Sequence, residues 1–456
     1  MDQPLKMLRY NTGTDKKAFV QFKQQFDVAI FNATIVAYSG ASVADLISMH
    51  AHKYIIDPQT HIFQQEISAI SSSQKNSGNP IKKSILKYLH ELPAALSEIV
   101  EQKRRPLVVA DFVGHLDALV QAVYTFETKY VSKYIEQKEY DKYLKFAGVK
   151  PEPKVIVAPY FMLKAGQPRQ ERKGWLDLNH EILEKTIKIN RLTCSNIPVA
   201  AQLVLEKPVL LEQNIFNEIQ KAYKIDGYDY IFIWIDDFDA FEARPEINNA
   251  FSRLVGLLNS MGKKPLMAYG GYESILLCAP NSFFKLYGVA QSVGYGEYRS
   301  ITPVGGGMPI NKYYFPPLHQ RLKFDDVAII LSKHGYFDDS VSIKERTRRF
   351  YENICNCKTC REIVGNDVNN FVRFNDSTPY IVRTKNGQLE KNRATTDALL
   401  IAALHFLFCK SNEWESISTK DYSILKQELL NAFDTYMPSK KPYIETWCNI
   451  YGSEKD

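Results

Sequence analysis

Short apolar runs alternate with stretches of helical periodicity over the first two thirds of the chain. The runs fall at 34–39, 53–58, 106–112, 154–161, 197–205, 229–238, 265–269 and 289–295. They are nearly continuous in Val, Ile and Ala rather than alternating, as strands buried on both faces of a parallel sheet read. Amphipathic stretches such as 80–100 and 214–224 lie between them. Eight strands in β–α alternation predict an α/β fold, a (β/α)8 TIM-type barrel. A doubly wound open sheet is the alternative, weakened because no glycine-rich phosphate or dinucleotide loop follows any run. Residues 1–33 read as a mixed lead-in. The polar loop 70–80 reads equally as a substrate-contacting segment and as plain surface. Gly305-Gly306-Gly307-Met308-Pro309 reads as a flexible junction.

The pattern changes near residue 340. The expected division is a barrel over 1–340, a zinc-binding module over 341–415, and a helical segment over 416–456 that completes the barrel's outer ring. Cys355-Asn-Cys357-Lys-Thr-Cys360 places three of seven cysteines within six residues. Three thiolates at this spacing can converge on one soft cation, and tetrahedral zinc needs one more N or S donor. His405 and Cys409 lie four apart on an apolar helical stretch, so both share one face and either could close the site. An iron–sulfur cluster is the rival occupant. Four protein donors leave no open position, so such a zinc would be structural.

The remaining composition narrows the class. Seven cysteines with three clustered point to a reducing compartment and to metal rather than disulfides. No apolar run is long enough to span a membrane, and a cytoplasmic protein is expected. The net charge of +6 is compatible with a polyanionic partner. The basic run Lys344-Glu-Arg-Thr-Arg-Arg349 could grip phosphate or be an ordinary solvated face.

Barrel chemistry sits at the C-terminal ends of strands. The acidic residues expected there are Asp57, Asp111, Asp236, Asp237 and Glu297, each of which could instead cap a following helix. Two carboxylates converging on one pocket are what cleavage of a glycosidic bond requires. Gln202 offers an amide able to read a base edge, or is simply a buried strand polar residue.

On these residues the chain resembles the tRNA-guanine transglycosylases and their DNA-acting relatives, which insert 7-deazaguanine bases. The C-x-C-x-x-C with a downstream helical histidine is similar to that family's zinc signature, and implies Cys355, Cys357, Cys360 and His405 as ligands. Asp57 with Phe63-Gln64 resembles the family's Asp-Ser-Gly-Gly-Phe-Gln segment, whose aspartate is the acid/base. Gln202 is similar to the glutamine of its Gln-Gly-Gly strand. The resemblance implies base exchange, in which a carboxylate attacks C1′, guanine leaves and a 7-deazaguanine replaces it. Phe63, Asp111, Gln202 and Arg299 are the expected substrate contacts.

The chain departs from the family at defined places. Pro-Gln-Thr-His61 follows Asp57. The family's Gly-Gly-Leu-Ala-Val-Gly-Glu loop is replaced near 235–241 by Asp-Asp-Phe-Asp-Ala. No aspartate stands at the eighth-strand nucleophile, where the run is Gln291-Ser-Val-Gly-Tyr-Gly-Glu297-Tyr-Arg299. The gap from Cys360 to His405 exceeds the usual spacing. Asp57 and one of Asp236 and Asp237 are therefore expected to face each other across one pocket, with Glu297 as reserve nucleophile. The expected polymer is DNA ahead of tRNA, with further protein partners open. A non-catalytic nucleic-acid-binding protein on the same barrel is the alternative, and a barrel hydrolase with a convergent zinc clip is a third reading.

Overall fold

The computed structural model describes residues 3–11, 15–72, 80–193, 195–293, 297–302, 312–384 and 387–452. The 73–79 part of the polar loop, residues 294–295 of the eighth apolar run and the Gly305–Pro309 junction lie outside them. The chain divides into two compact units. The first comprises Met1–Cys278 and Phe283–Gly305; the second comprises Ala279–Ser282 and Gly306–Gly452.

The first unit is a (β/α)8 barrel. Its strands are β1 (Leu5–Tyr10), β2 (Val28–Asn32), β3 (Lys53–Asp57), β4 (Glu152–Pro153), β5 (Ile156–Val157), β6 (Val199–Leu205), β7 (Tyr230–Ile235), β8 (Lys264–Met267) and β9 (Gly288–Ser292). Every pairing in this sheet is parallel. The order β4-β3-β2-β1-β9-β8-β7-β6-β5 brings the ends of the list to two pieces separated by two residues, 154 and 155. β4 pairs only with β3, and β5 only with β6, so nine pieces make eight staves. Pro153 has no N–H to donate, which is one reason this stave is short.

The stave count was legible, but two staves were misplaced. All of the run 34–39 but Ser39 lies within a helix, Ala33–Tyr38, which buries Ala33, Val36 and Ala37, a three- and four-residue spacing. The run 106–112 is a loop ending in a 3-10 turn, Val109–Phe112, with Val108 about half exposed. The true first two staves lie in the supposed lead-in. β1 carries a charged residue, Arg9, that points inward and is 1% exposed, and this broke the apolar signature.

Inward positions alternate with outward ones along each strand. Met7, Ile30, Ile55, Val157, Ala200, Val204, Phe232, Leu266 and Ala290 fill the interior. Above them, toward the C-terminal ends, Arg9, Asn32 and Asp57 replace apolar side chains; Asn32 and Asp57 are register partners. A polar layer therefore lies on an apolar plug.

The second unit contains the antiparallel pair β10 (Lys312–Phe315) and β11 (Gln320–Lys323), and the separate ribbon β12 (Ser377–Thr384) and β13 (Gly387–Ala394). Its longest helix is Thr396–Thr419. The helix expected over 421–436 forms as Tyr422–Tyr436, but it belongs to this unit rather than to the barrel's ring. The division falls near residue 306 rather than 340, because 312–340 pack with the elements around the cysteines.

Candidate active site and metal centre

The polar layer of the barrel is built around Asp57. One carboxylate oxygen accepts from Arg9 Nη1 at 2.9 Å, and the other from the Tyr160 hydroxyl at 2.6 Å. Arg9 Nη1 also reaches Asn32 Oδ1 at 3.2 Å, and its Nε donates to the Ala268 carbonyl at 2.8 Å. The guanidinium stacks 4.2 Å over the Tyr269 ring. Arg9 and Asp57 are 1% and 2% exposed, so each charge depends on the other for compensation. Burial, with the Asp57 charge beside it, pushes the Tyr160 hydroxyl well above its ordinary pKa.

Aromatic rings roof this layer. His61 stacks on Tyr160 at 5.3 Å and meets Trp234 edge-on at 5.0 Å. Trp234 in turn packs 4.7 Å from Tyr269. Both nitrogens of His61 are buried without a hydrogen-bond partner among the described residues. Burial brings its pKa down to about 4, against the pull of Asp57, so the ring is neutral at physiological pH.

The expected site residues divide into three groups. Asp57 stands at a strand end, inside the barrel. Asp236 follows β7, half-buried, and its Oδ1 accepts from Ile301 N at 2.7 Å and Ser300 Oγ at 3.1 Å. Asp237 is exposed, in a left-handed backbone conformation (φ 44°) that aspartate tolerates. Arg299 Nη1 donates to Asn11 Oδ1 at 3.2 Å, and its carbonyl accepts from Trp234 Nε1 at 3.1 Å. Gln202 faces the interior opposite Phe232, one pleat below the Val204–Trp234 pair, so it lies deeper than the rim.

Two expected contacts are structural. Asp111 is not at a strand end: it forms a bidentate pair with Arg105 (2.6 and 2.7 Å) and accepts from Val108 N, closing its own turn. Phe63 stacks on Tyr88 within the packed interior, 1% exposed.

Glu297 is buried in a carboxylate group with Asp239 and Glu273, drawn from the segments after β9, β7 and β8, with Glu273 in the helix Tyr272–Leu276. The Tyr298 hydroxyl lies 3.4 Å from Glu273 Oε2. Burial, then the charge of Glu273, raises Asp239 to about 7. In the unfolded chain Asp239 ionises near 3.8, so the folded state holds the extra proton between about 4 and 7. Stability from this group is greatest at low pH and is lost as pH rises through that window. Asp239→Asn should flatten that part of the stability-versus-pH curve in denaturant titrations; an unchanged slope would refute the assignment.

In the second unit, Cys355, Cys357, Cys360 and His405 are all buried, with their donor atoms within 4.8 Å of one another. His405 Nδ1 lies 3.8, 3.4 and 3.4 Å from the three sulfurs in that order. A metal bound tetrahedrally at ordinary metal–S and metal–N lengths sets N and S about 3.6 Å apart. The group fits one ion. A bridging cluster would hold its ligands farther apart.

The tautomer is fixed as well. His405 Nε2 donates to the Tyr314 carbonyl at 2.7 Å, leaving the Nδ1 lone pair for the metal. Tyr314 is anchored in turn, its hydroxyl bonded to Glu413 and accepting from Lys410 Nζ at 2.8 Å. Cys360 N–H points at Cys357 Sγ (3.4 Å), and the Tyr313 ring stacks on His405 at 4.2 Å. Burial disfavours charge on His405, yet the Cys355 and Cys357 sulfurs raise its pKa to about 10. Cys409 lies near, its sulfur 3.7 Å from Nδ1, but outside the converging four.

The arginines of the basic run are committed locally. Arg348 pairs with Glu345 and Glu352 at 2.6 Å, Arg346 with Asp339 at 3.2 Å, and Arg349 donates to the His334 carbonyl at 3.0 Å.

Fold and site together define a (β/α)8-barrel protein with a buried Cys3His group that could hold a metal ion. No family model matches the chain, and no curated protein matches it. Among solved structures, a modular endo-β-1,4-mannanase from Cellulomonas fimi, of glycoside hydrolase family 26, aligns over 67% of this chain and 68% of its own. The identity is 12% and the TM-score 0.34, a likeness too slight to bear on fold or activity. No described helix is long and apolar enough to cross a membrane.

Sequence reasoning missed Arg9, Tyr160, His61, Trp234, Tyr269, Asp239 and Glu273. Only Asp239 carried a signal, as a third acid in Asp236-Asp237-Phe-Asp239. The others come together only once the barrel closes.

Proposed function

We propose that the protein is a pentosyltransferase that exchanges guanine in nucleic acid, DNA ahead of tRNA, for a 7-deazaguanine, with zinc as the structural ion. The observation that carries this reading is Asp57: a buried, charge-compensated carboxylate inside the C-terminal end of a barrel whose chain continues into a Cys3His unit. Zinc is favoured because three thiolates and one imidazole at tetrahedral spacing are its ordinary structural set.

The nucleotide is flipped out of its stack to reach the rim. A carboxylate attacks C1′ while the C1′–N9 bond breaks, and guanine leaves with a proton. The incoming 7-deazaguanine gives up its own proton as it displaces the carboxylate, which is thereby restored. The Arg9 and Tyr160 contacts suit Asp57 to act in its charged form, as nucleophile or base. Asp236 is the second carboxylate of choice, since Asp237 is exposed. Asp239, held near 7, is suited to move a proton.

A non-catalytic reading draws support from the eighth stave, where neutral Ser292 bonds Asn11 at 2.5 Å and no aspartate follows. Nucleoside mass spectrometry of DNA and tRNA from hosts with and without the gene separates the two. A gene-dependent 7-deazaguanine nucleoside in DNA is the expected result. The same nucleoside in tRNA alone would reassign the polymer. Its absence from both, with no labelled-guanine exchange by purified protein, would leave the binding reading.

A further inference from the structure

Among the described residues, the β12–β13 ribbon pairs with no other strand. Its register runs from Ser377↔Ala394 to Thr384↔Gly387. All residues of β13 before Ala394 are exposed. A two-stranded ribbon without a core beneath it is marginal by itself. This one is fastened at its base: Ala394 is buried, Thr395 N donates to the Asp376 carbonyl at 3.0 Å, and the Thr395 hydroxyl caps the helix that carries His405. The ribbon occupies the long gap between Cys360 and His405.

Its composition is one-sided. Residues 377–394 contain Arg383, Lys385, Lys391 and Arg393 against Glu390, four positive charges less one negative, or +3. Tyr380 is the register partner of Lys391, and Thr378 that of Arg393. Directly opposed residues share a face, as do alternate residues of one strand. Leu389, Lys391 and Arg393 therefore line one face with Tyr380, and Leu389 is 49% exposed there. An unpaired face that keeps apolar, aromatic and basic groups in water marks a contact surface, and its charge selects a polyanion.

We propose that this ribbon docks into the major groove of duplex DNA, with Lys391 and Arg393 on the phosphates. B-form DNA has a major groove wide enough for a two-stranded ribbon, whereas that of A-form RNA is deep and narrow. The proposal rests on the nucleic-acid reading above, but binding and exchange are scored separately.

The test is fluorescence anisotropy over a salt series, on DNA and RNA duplexes of one sequence, with wild type and Lys391→Ala/Arg393→Ala. Both side chains are exposed, so the variant should fold; metal content and circular dichroism check this. Loss of two phosphate contacts should flatten the plot of log K against log salt by roughly 1.8 and weaken DNA binding about tenfold or more near 0.1 M salt. Arg348→Ala, which breaks only two intrahelical pairs, should bind as wild type. Equal affinity and slope in the double variant would overturn the proposal, as would a wild type that binds no DNA. RNA duplex bound as tightly as DNA would overturn the groove assignment. Ribbon-dependent binding without base exchange on a single-stranded oligonucleotide would remove the proposed activity and leave the ribbon's role intact.

Discussion

Replacing Cys357 or Cys360 with serine should cost the second unit its cooperative unfolding transition, or lower it by tens of degrees. Structural zinc in small domains contributes about 10–16 kcal/mol of binding free energy that is also folding free energy. Even a third of that, about 4 kcal/mol, would move the midpoint of a unit this size by roughly 8–16 °C. The geometry explains why so much rests on one ion. Four buried donors sit within 4.8 Å, and without a cation the thiolates would repel one another in a low-dielectric interior. A strong chelator should reproduce the effect on wild type, and elemental analysis should return one zinc per chain before treatment and none after. Iron in that analysis, or a chelated protein that melts unchanged, would refute the assignment. His405→Ala should lose metal, whereas Cys409→Ala should keep it.

Asp57→Asn should abolish base exchange, with a loss of at least about a thousandfold, and should also destabilise the barrel. The second effect arises because Arg9, 1% exposed, would be left without its counter-charge; breaking a buried pair on one side costs about 3–5 kcal/mol. The two effects are separable. Arg9→Met/Asp57→Leu removes both charges and should recover most of the stability lost in the single variant, with exchange still absent. Denaturant midpoints and single-turnover exchange would be measured on all three proteins. A double variant that regains exchange would show that Asp57 acts through Arg9 rather than on the nucleotide. A single variant that keeps wild-type exchange would end the assignment.

The barrel was legible because parallel staves are buried on both faces and read as apolar runs whatever their order. Six runs, such as 197–205 and 229–238, correspond to real staves for that reason. Two failed for opposite reasons. The run 34–39 is rich in β-branched residues, yet it forms a short helix buried on one side; at six residues apolar composition does not separate a helix from a strand. β1 was hidden because Arg9 occupies an inward position, which propensity treats as impossible until its partner is known. That partner is Asp57, 48 residues away.

Site residues divided along the same line. The cysteines were readable because their spacing is local and a single metal geometry accounts for it. His405 was separable from Cys409 only through the family likeness, since one helix face carries both. Asp111 looked catalytic because it ends an apolar run, and only the Arg105 pair reveals a cap. Tyr160, His61, Trp234 and Tyr269 come from four segments with no shared pattern.

The split stave between β3 and β6 has a dynamic consequence. A closed ring transmits strain around its circumference, so it gives first where its hoop is thinnest. Here two residues bond one neighbour and two bond the other, and the Val157 amide turns to a helix carboxyl, Glu127 Oε1 at 3.1 Å. Parting at this seam sacrifices a few ladder bonds and leaves the other seven staves joined, a far smaller event than unfolding. A local opening at this address would let solvent visit the Asp57 layer while the fold persists.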